Sequence, residues 1–200
     1  MAVPLVAYPP LPRHPTRLIR TVTMWKQTGI AGMLVLLLLN LSLAQSYNET
    51  EVKAAFLYHF VSYVEWPARA FDIPSAPFVI GVLGKSPVLE ALREAVRGKS
   101  VQGRALVVRQ VSVGQELRQC HLLFIPASEA KQLPRVLEVL GDAPVLLVGE
   151  SEGFAQRGGI INFFLEQNKV RFEINPDAAR RINLNLSSKL LRLARVVKSS

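Results

Sequence analysis

PFVIGVLGKSP, residues 77–87, sets an unbroken apolar run directly before a Gly-Lys-Ser triplet. The run from Phe78 to Leu83 has strand length and no polar side chain, the pattern of a strand buried on both faces in a parallel sheet. The triplet has the form that ends a phosphate-binding loop. Such a loop needs an earlier glycine five positions before the second one, so that four residues can wrap the phosphates with backbone N–H groups. Val79 occupies that position, inside the strand, and nothing is left to wrap with. The second triplet, Gly98–Ser100, fails because Arg93 stands where the glycine is required and the order is helix then strand. No apolar strand ends in an aspartate that would hold magnesium. Triphosphate hydrolysis is therefore set aside. Gly84 reads as a tight turn, Ser86 as a helix cap and Pro87 as the first helical residue, with a helix N-terminus able to receive an anion.

Outward from this stretch the pattern alternates. SPVLEALREAVRG reads as a helix, RALVVRQV as a strand, VGQELRQ as a short helix and HLLFIPA as a strand. SEAKQLPRVLEVLG follows as a helix interrupted by Pro134, then APVLLVGE as another strand. Strands apolar on both faces and separated by helices imply an α/β three-layer sandwich with a mostly parallel sheet. GIINFFLEQ and KVRFEIN, joined at Gln167-Asn168, read as a C-terminal antiparallel hairpin although the usual Asn-Gly pair is missing. Asn175 caps a following helix with Pro176 at its first position. Ser187 or Ser188 caps KLLRLARVV, with Leu190, Leu191, Ala194 and Val197 on one side and Arg192, Arg195 and Lys198 on the other. Before the sheet, NETEVKAAFLYHFVSYVEWP reads as a helix capped by Asn48 or Thr50. Val52, Phe56 and Phe60, with Tyr63 and Val64, form its buried stripe, and Trp66-Pro67 is its stop.

Residues 1–44 are read as an upstream extension plus signal peptide, and 45–200 as a single domain. Met24, Trp25 and Lys26 make a positive start, GIAGMLVLLLLNLSL an apolar centre, and Ser42-Leu43-Ala44 a cleavage site, so Met24 reads as the true start. An uncleaved inner-membrane anchor through residues 29–44 is the alternative. Removing residues 1–44 discards four cations and no acids, which takes the formal charge from +9 to +5. Six cations then lie beyond Asp177, where no acid remains, so an acidic partner or a headgroup surface is favoured over nucleic acid, which an exported chain seldom meets. Cys120 is the only cysteine, so no internal disulfide forms; it reads as a small buried side chain, with an intermolecular bridge as the alternative.

Other chemistry is sparse. Residues 45–200 hold two histidines, His59 on a helix and His121 in a strand, and neither has a second ligand at metal spacing. Cys120 and His121 are adjacent in a strand, point to opposite faces and cannot act as nucleophile and base. Glu150 and Glu152 flank Ser151 at a strand exit, where carboxylates are usually solvated groups. No metal or cofactor is expected, and the chain reads as a binding module rather than an enzyme. In a doubly wound sheet ligands bind at the carboxyl ends of strands, which gathers Gly84, Lys85, Ser128, Glu150, Ser151 and Gly153 into a possible ligand crevice. The first helix holds Phe56, Tyr58, Phe60, Tyr63 and Trp66, more aromatic rings than one buried stripe requires. Tyr58, Tyr63 and Trp66, with Arg192 and Arg195, are therefore the candidate partner-binding residues.

EVKAAFLYHFVSYVEWP, FVIGVLG, CHLLFIPASE and the stretch from VLLVGESEGF to SSKLLRLARVV resemble, in order and spacing, the YfiR family of exported bacterial proteins. The resemblance covers residues 48–197 and is most specific at Glu65-Trp66-Pro67 and in the closing RFEIN and SSKLLRLA. It implies a periplasmic, non-enzymatic regulator, commonly a homodimer, that restrains an inner-membrane signalling protein, a diguanylate cyclase, by binding its periplasmic region. Redox tuning through cysteine pairs, which the best-known member of the family uses, is not implied here because Cys120 stands alone. A periplasmic small-ligand sensor or solute-binding module using the sheet-end crevice is the alternative, and an enzyme using Glu150 the third reading.

Expressed in a Gram-negative host, the chain should be recovered in the osmotic-shock fraction with Gln45 as its first residue. N-terminal sequencing checks this, and recovery in the membrane with residues 29–44 attached would support the anchor instead.

Overall fold

The structure is a computed structural model that describes residues 49–199 apart from Pro74. The leader, its cleavage site and the Asn48 cap lie outside the described residues. No helix among the described residues is long and apolar enough to cross a membrane.

The first helix, α1, spans 49–62. It turns at Tyr63 into β1 (Val64–Glu65), which pairs antiparallel with β9 (Asn185–Leu186). The main sheet begins with β2 (Phe78–Leu83), every residue of which is buried. It continues through β3 (Ser100–Val101), β4 (Arg104–Val111), β5 (Leu122–Ile125), β6 (Leu146–Gly149), β7 (Ile161–Glu166), β8 (Lys169–Ile174) and β10 (Arg195–Val196). Among the described residues the spatial order is β10-β8-β7-β6-β5-β2-β4-β3. The five strands from β4 through β2, β5 and β6 to β7 are mutually parallel, while β8 runs antiparallel to β7 and β3 antiparallel to β4.

Alternation along the central strands divides the core in two. Phe78, Ile80 and Val82 of β2, with Leu122 and Phe124 of β5, face a layer formed by α1 and α2 (Val88–Val96), where Leu57, Phe60, Val61 and Leu92 are fully buried. Val79 and Leu83, with Leu123, Ile125 and Leu147, face α3 (Leu133–Leu140) and Leu117. The chain is thus an α/β three-layer sandwich with a mostly parallel sheet and a C-terminal antiparallel hairpin. Rings from three elements fasten α1 to that hairpin: Phe56 and Phe60 meet Phe172 with centroids 5.3 and 5.1 Å apart, and Phe163 at 6.0 and 5.7 Å. Full burial of one such side chain stabilises by about 1.5–3 kcal/mol.

Several local expectations are corrected. The buried stripe of α1 is Ala54, Leu57, Phe60 and Val61, continued by Val64 of β1, while Val52 and Phe56 are only half-buried at its edge. α1 also stops before Trp66-Pro67, since Val64 and Glu65 gain backbone partners in β9 and Ser187 N donates to the Tyr63 carbonyl at 3.0 Å. β4 is half-exposed rather than buried on both faces, because only the two-residue β3 lies beyond it. The β3–β4 hairpin turns through Gln102 and Gly103, whose φ of 51° and 76° are both left-handed. Pro134 lies in the first turn of α3, after a 3-10 turn over Ala127–Gln132, and so starts that helix instead of interrupting it. The last helix, α5 (Ser188–Leu193), ends before Arg195, which lies in strand β10, so Ala194, Arg195, Val197 and Lys198 share no helix with Leu190 and Arg192. Ala194 leaves the helical region at ψ 155°, and Val197 N instead donates to the Ile174 carbonyl at 2.8 Å, so sheet pairing replaces another helical turn.

The sequence-level turn readings hold elsewhere. Gln167 and Asn168 adopt φ of 50° and 58°, the paired left-handed geometry of a two-residue hairpin without its usual glycine. Asn175 Oδ1 accepts from Ala178 N at 3.1 Å to cap α4 (Pro176–Arg181), and Ser187 Oγ accepts from Leu190 N at 3.2 Å to cap α5.

Phe154 lies where side chains at two glycines would sit. A Cβ at Gly149 would come within 2.5 Å of its ring and one at Gly159 within 2.1 Å. Gly149→Ala should therefore cost about 1–3 kcal/mol by overpacking, read from the urea midpoint. Phe154→Leu should recover part of that loss in the double variant.

Cys120 is 4% exposed in the α3-side core, and burial pushes its thiol up to about 11 from 9.0. The folded chain keeps this proton where the unfolded chain releases it, so the contribution is present below pH 9 and is lost between 9 and 11. The loss should reach about 2–3 kcal/mol. Urea midpoints from pH 8.5 to 10.5 should fall more steeply for the natural chain than for Cys120→Ala, and equal slopes would remove the thiol from the account.

Candidate functional site

The chain passes from β2 to β4 on one side and then returns to place β5 on the other, so the sheet order reverses between β2 and β5. Connections leaving the carboxyl ends of such neighbours diverge and leave a crevice. Here the crevice has a volume of about 290 Å³ and is lined by Thr50 and Lys53 of α1, Lys85 and Ser86 after β2, Ser128 after β5 and Glu150 after β6.

Its geometry follows from the turns. Gly84 has φ +65°, which strains any other residue, and a Cβ there would also have to displace the Glu129 side chain, whose Oε1 lies 2.5 Å away. Ser86 Oγ accepts from Val88 N at 3.2 Å and caps α2. Glu150 Oε1 accepts from Ala127 N at 3.0 Å, and its Oε2 accepts from Lys53 Nζ at 2.6 Å. Lys53 also donates to Glu49 Oε1 at 2.5 Å. Burial alone would lower the Lys53 pKa, but its hydrogen bonds to Glu150 and Glu49 outweigh burial and hold it above the usual lysine value. Lys53 is thus a fixed cation bound by two acids, while the exposed Lys85 makes no ion pair among the described residues. Both Glu150 oxygens are committed to N–H donors, which suits a structural clamp better than proton transfer. Among the described residues no group of three His, Cys, Asp or Glu side chains is gathered as a metal site would require.

Lys85, Ser128 and Glu150 line this crevice, while Gly84 forms the turn that leads into it without lining it. Ser151 and Gly153 do not line the crevice; they belong to the next turn, where Arg157 donates to Ser151 Oγ at 3.2 Å and to the Gly153 carbonyl at 3.3 Å. Lys53 and Glu49 were missed as site residues. Their i,i+4 spacing was visible as a helix-surface pair, but Glu150 is 97 positions from Lys53 and local spacing gives no sign of it.

The candidate partner-binding residues are dispersed. Tyr58 is half-buried, lies beside His59 with ring centroids 4.9 Å apart, and has the Lys99 ammonium 4.5 Å from its ring centroid. Tyr63 is half-buried against the α1-side core. Trp66 packs edge-on against Phe78 at 5.7 Å and His121 at 5.9 Å, and its Nε1 donates to the Val61 carbonyl at 3.4 Å. Each ring commits one side to the interior. Arg192 is exposed without an ion-pair partner among the described residues, whereas Arg195 is fixed by Glu173 at 2.6 Å and covers the Phe164 ring at 4.1 Å. Leu193 and Val196, beside them, are 67% and 56% exposed.

A search of curated proteins finds no match. Among solved structures, an ABC domain in complex with L-Trp from Streptococcus pneumonia is similar at 13% identity, with a TM-score of 0.45 over 60% of this chain. The match spans 56% of that structure's length. The sequence profile described as YfiR/HmsC-like matches residues 50–195, from the first turn of α1 to the start of β10, and the chain belongs to the YfiR/HmsC-like family.

Proposed function

We propose that the protein is a periplasmic regulator that binds the periplasmic region of an inner-membrane signalling protein, a diguanylate cyclase, and restrains it by contact without catalysing a reaction. The observation that carries this reading is the family match over residues 50–195, which takes in nearly the whole described domain. The homodimer is its proposed form, and the leader ending near Ala44 its proposed route to the periplasm.

The surface that best suits a partner is the C-terminal edge. Lys189, Arg192 and Lys198 make no ion pair among the described residues, and Leu193 and Val196 are exposed between them. Unpaired cations steer an acidic partner, and the apolar side chains add contact that water does not replace. Tyr58 and Tyr63 form a second candidate surface, each with part of its ring already buried.

The crevice supports the alternative of a small-ligand sensor, because a cleft of about 290 Å³ with the unpaired Lys85 ammonium lies at the point where strand order reverses. A ligand that raises the thermal midpoint of the natural chain but not of Lys85→Ala would favour that alternative.

Co-expressed with a membrane-bound diguanylate cyclase, the protein should lower cyclic di-GMP and co-purify with that enzyme. Arg192→Glu should weaken the association at least about tenfold while shifting folding stability by less than about 0.5 kcal/mol. Tyr58→Ala and Tyr63→Ala should weaken it by about 1–4 kcal/mol if they touch the partner. Phe60→Ala, fully buried, should instead cost about 3–5 kcal/mol of stability and serves as the folding control. Unchanged cyclic di-GMP with a well-folded natural chain would overturn the reading.

A further inference from the structure

His121, immediately before β5, is 6% exposed. Its ring stacks on Phe71 with centroids 4.6 Å apart and meets Phe78 and Trp66 edge-on at 5.2 and 5.9 Å. Nδ1 accepts from the Val79 backbone N–H at 3.1 Å, so it carries no proton and the neutral ring holds its proton on Nε2. Nε2 is buried and makes no well-formed hydrogen bond, its interaction with the Ala70 carbonyl falling short of good geometry. A second proton has only Nδ1 to bind, where it would face the Val79 N–H, donor against donor. The same step would leave a buried positive charge without a carboxylate in contact, which is costly.

What covers this ring is thin. Among its described residues the connection from Trp66 to Pro77 holds only a three-residue 3-10 turn, Ala68–Ala70, and its Ile73 is 58% exposed. Arg104 of β4 fastens it, donating to the Ala76 carbonyl at 2.7 Å and lying 3.8 Å from the Phe71 ring centroid. Arg69 reaches Asp142 at 3.4 Å across exposed surface. The charged groups around the ring are therefore Arg69 and Asp72 on the cover, Arg104 on β4 and Asp142 before β6. β2 presents only Phe78 and the Val79 amide, and the Cys120 thiol lies on the opposite face of the sheet.

We propose that His121 is an acid-sensitive latch: its protonation breaks the bond to Val79 and releases the 66–77 cover, loosening Trp66 beside the end of α1. Burial lowers the His121 pKa below 6.5; the Ala70 carbonyl and Asp72 pull the other way without restoring it, and Arg104 adds to the lowering. The sign follows. The folded ring binds a proton less readily than the unfolded one, so the closed cover is fully favoured above about pH 6.5 and weakens as pH falls below it. The latch belongs to this domain alone, so its test is separate from that of any partner.

The experiment uses the full chain carrying Trp25→Phe, which leaves Trp66 as its only indole. Trp66 fluorescence should change in a single step with a midpoint below pH 6.5. Amide exchange in 66–77, corrected for its intrinsic rate, should rise by up to about tenfold per pH unit below that midpoint. His121→Asn, whose Oδ1 can still accept from Val79 N but cannot titrate, should abolish both changes, and His59→Asn should leave both intact. If His121→Asn does not fold, the carbon shifts of the natural His121 ring decide. An Nε2–H tautomer titrating below 6.5 supports the latch, and an Nδ1–H tautomer or titration at or above 6.5 overturns it. A fluorescence step that persists in a folded His121→Asn chain also overturns it.

Discussion

Two-sided burial of β2 and β5 is the constraint on which the rest of the domain depends. All six residues of β2 and all four of β5 are hidden from water, so neither face of these strands can be left bare. One helical layer would cover only half of the apolar surface, and the chain must cross the sheet to supply the other. That requirement places α1 and α2 on one face and α3 on the other. It also moves the chain from one side of β2 to the other between β4 and β5. The crevice is a geometric by-product of that reversal.

The architecture was legible because the signals that set it are local and repeated. Phe78–Leu83, Leu122–Ile125 and Leu146–Gly149 are each apolar without a break, and the helical stretches between them carry a different period. Caps at Ser86, Asn175 and Ser187 were visible for the same reason, since a capping residue acts on an amide two or three positions away. What escaped notice was settled by distant partners. Val64 and Glu65 continue a helical pattern in sequence, yet they pair with residues some 120 positions later. Arg195 looked like the next turn of a basic helix, but a parallel register with Glu173 and Ile174 draws it into the sheet. The crevice was half legible: topology predicted Lys85, Ser128 and Glu150, while Lys53 is known as a site residue only because α1 folds back over the strand ends.

The Lys53 cluster and the aromatic group around Phe60 divide the task of holding α1. The rings supply non-directional adhesion near the hairpin, and the ion pairs fix the helix start against the exit of β6. Lys53 is mostly hidden, so replacing only one of its acids would leave a charge poorly solvated, and the cluster behaves as a unit. The α1 layer is thus positioned at one end by charge and along its length by packing, which lets the far end, near Trp66, respond to its surroundings separately.

The polar ladder across the C-terminal strands makes the sheet edge a joint product of three segments. Asn162, Glu173 and Arg195 stand side by side on β7, β8 and β10, and the Glu173 carboxylate, 3% exposed, bonds to both neighbours. Arg195 follows Glu173 by 22 residues, with α4 and α5 between them. The hairpin of β7 and β8 therefore cannot satisfy this carboxylate alone, and its outer edge is complete only with β10 docked against it.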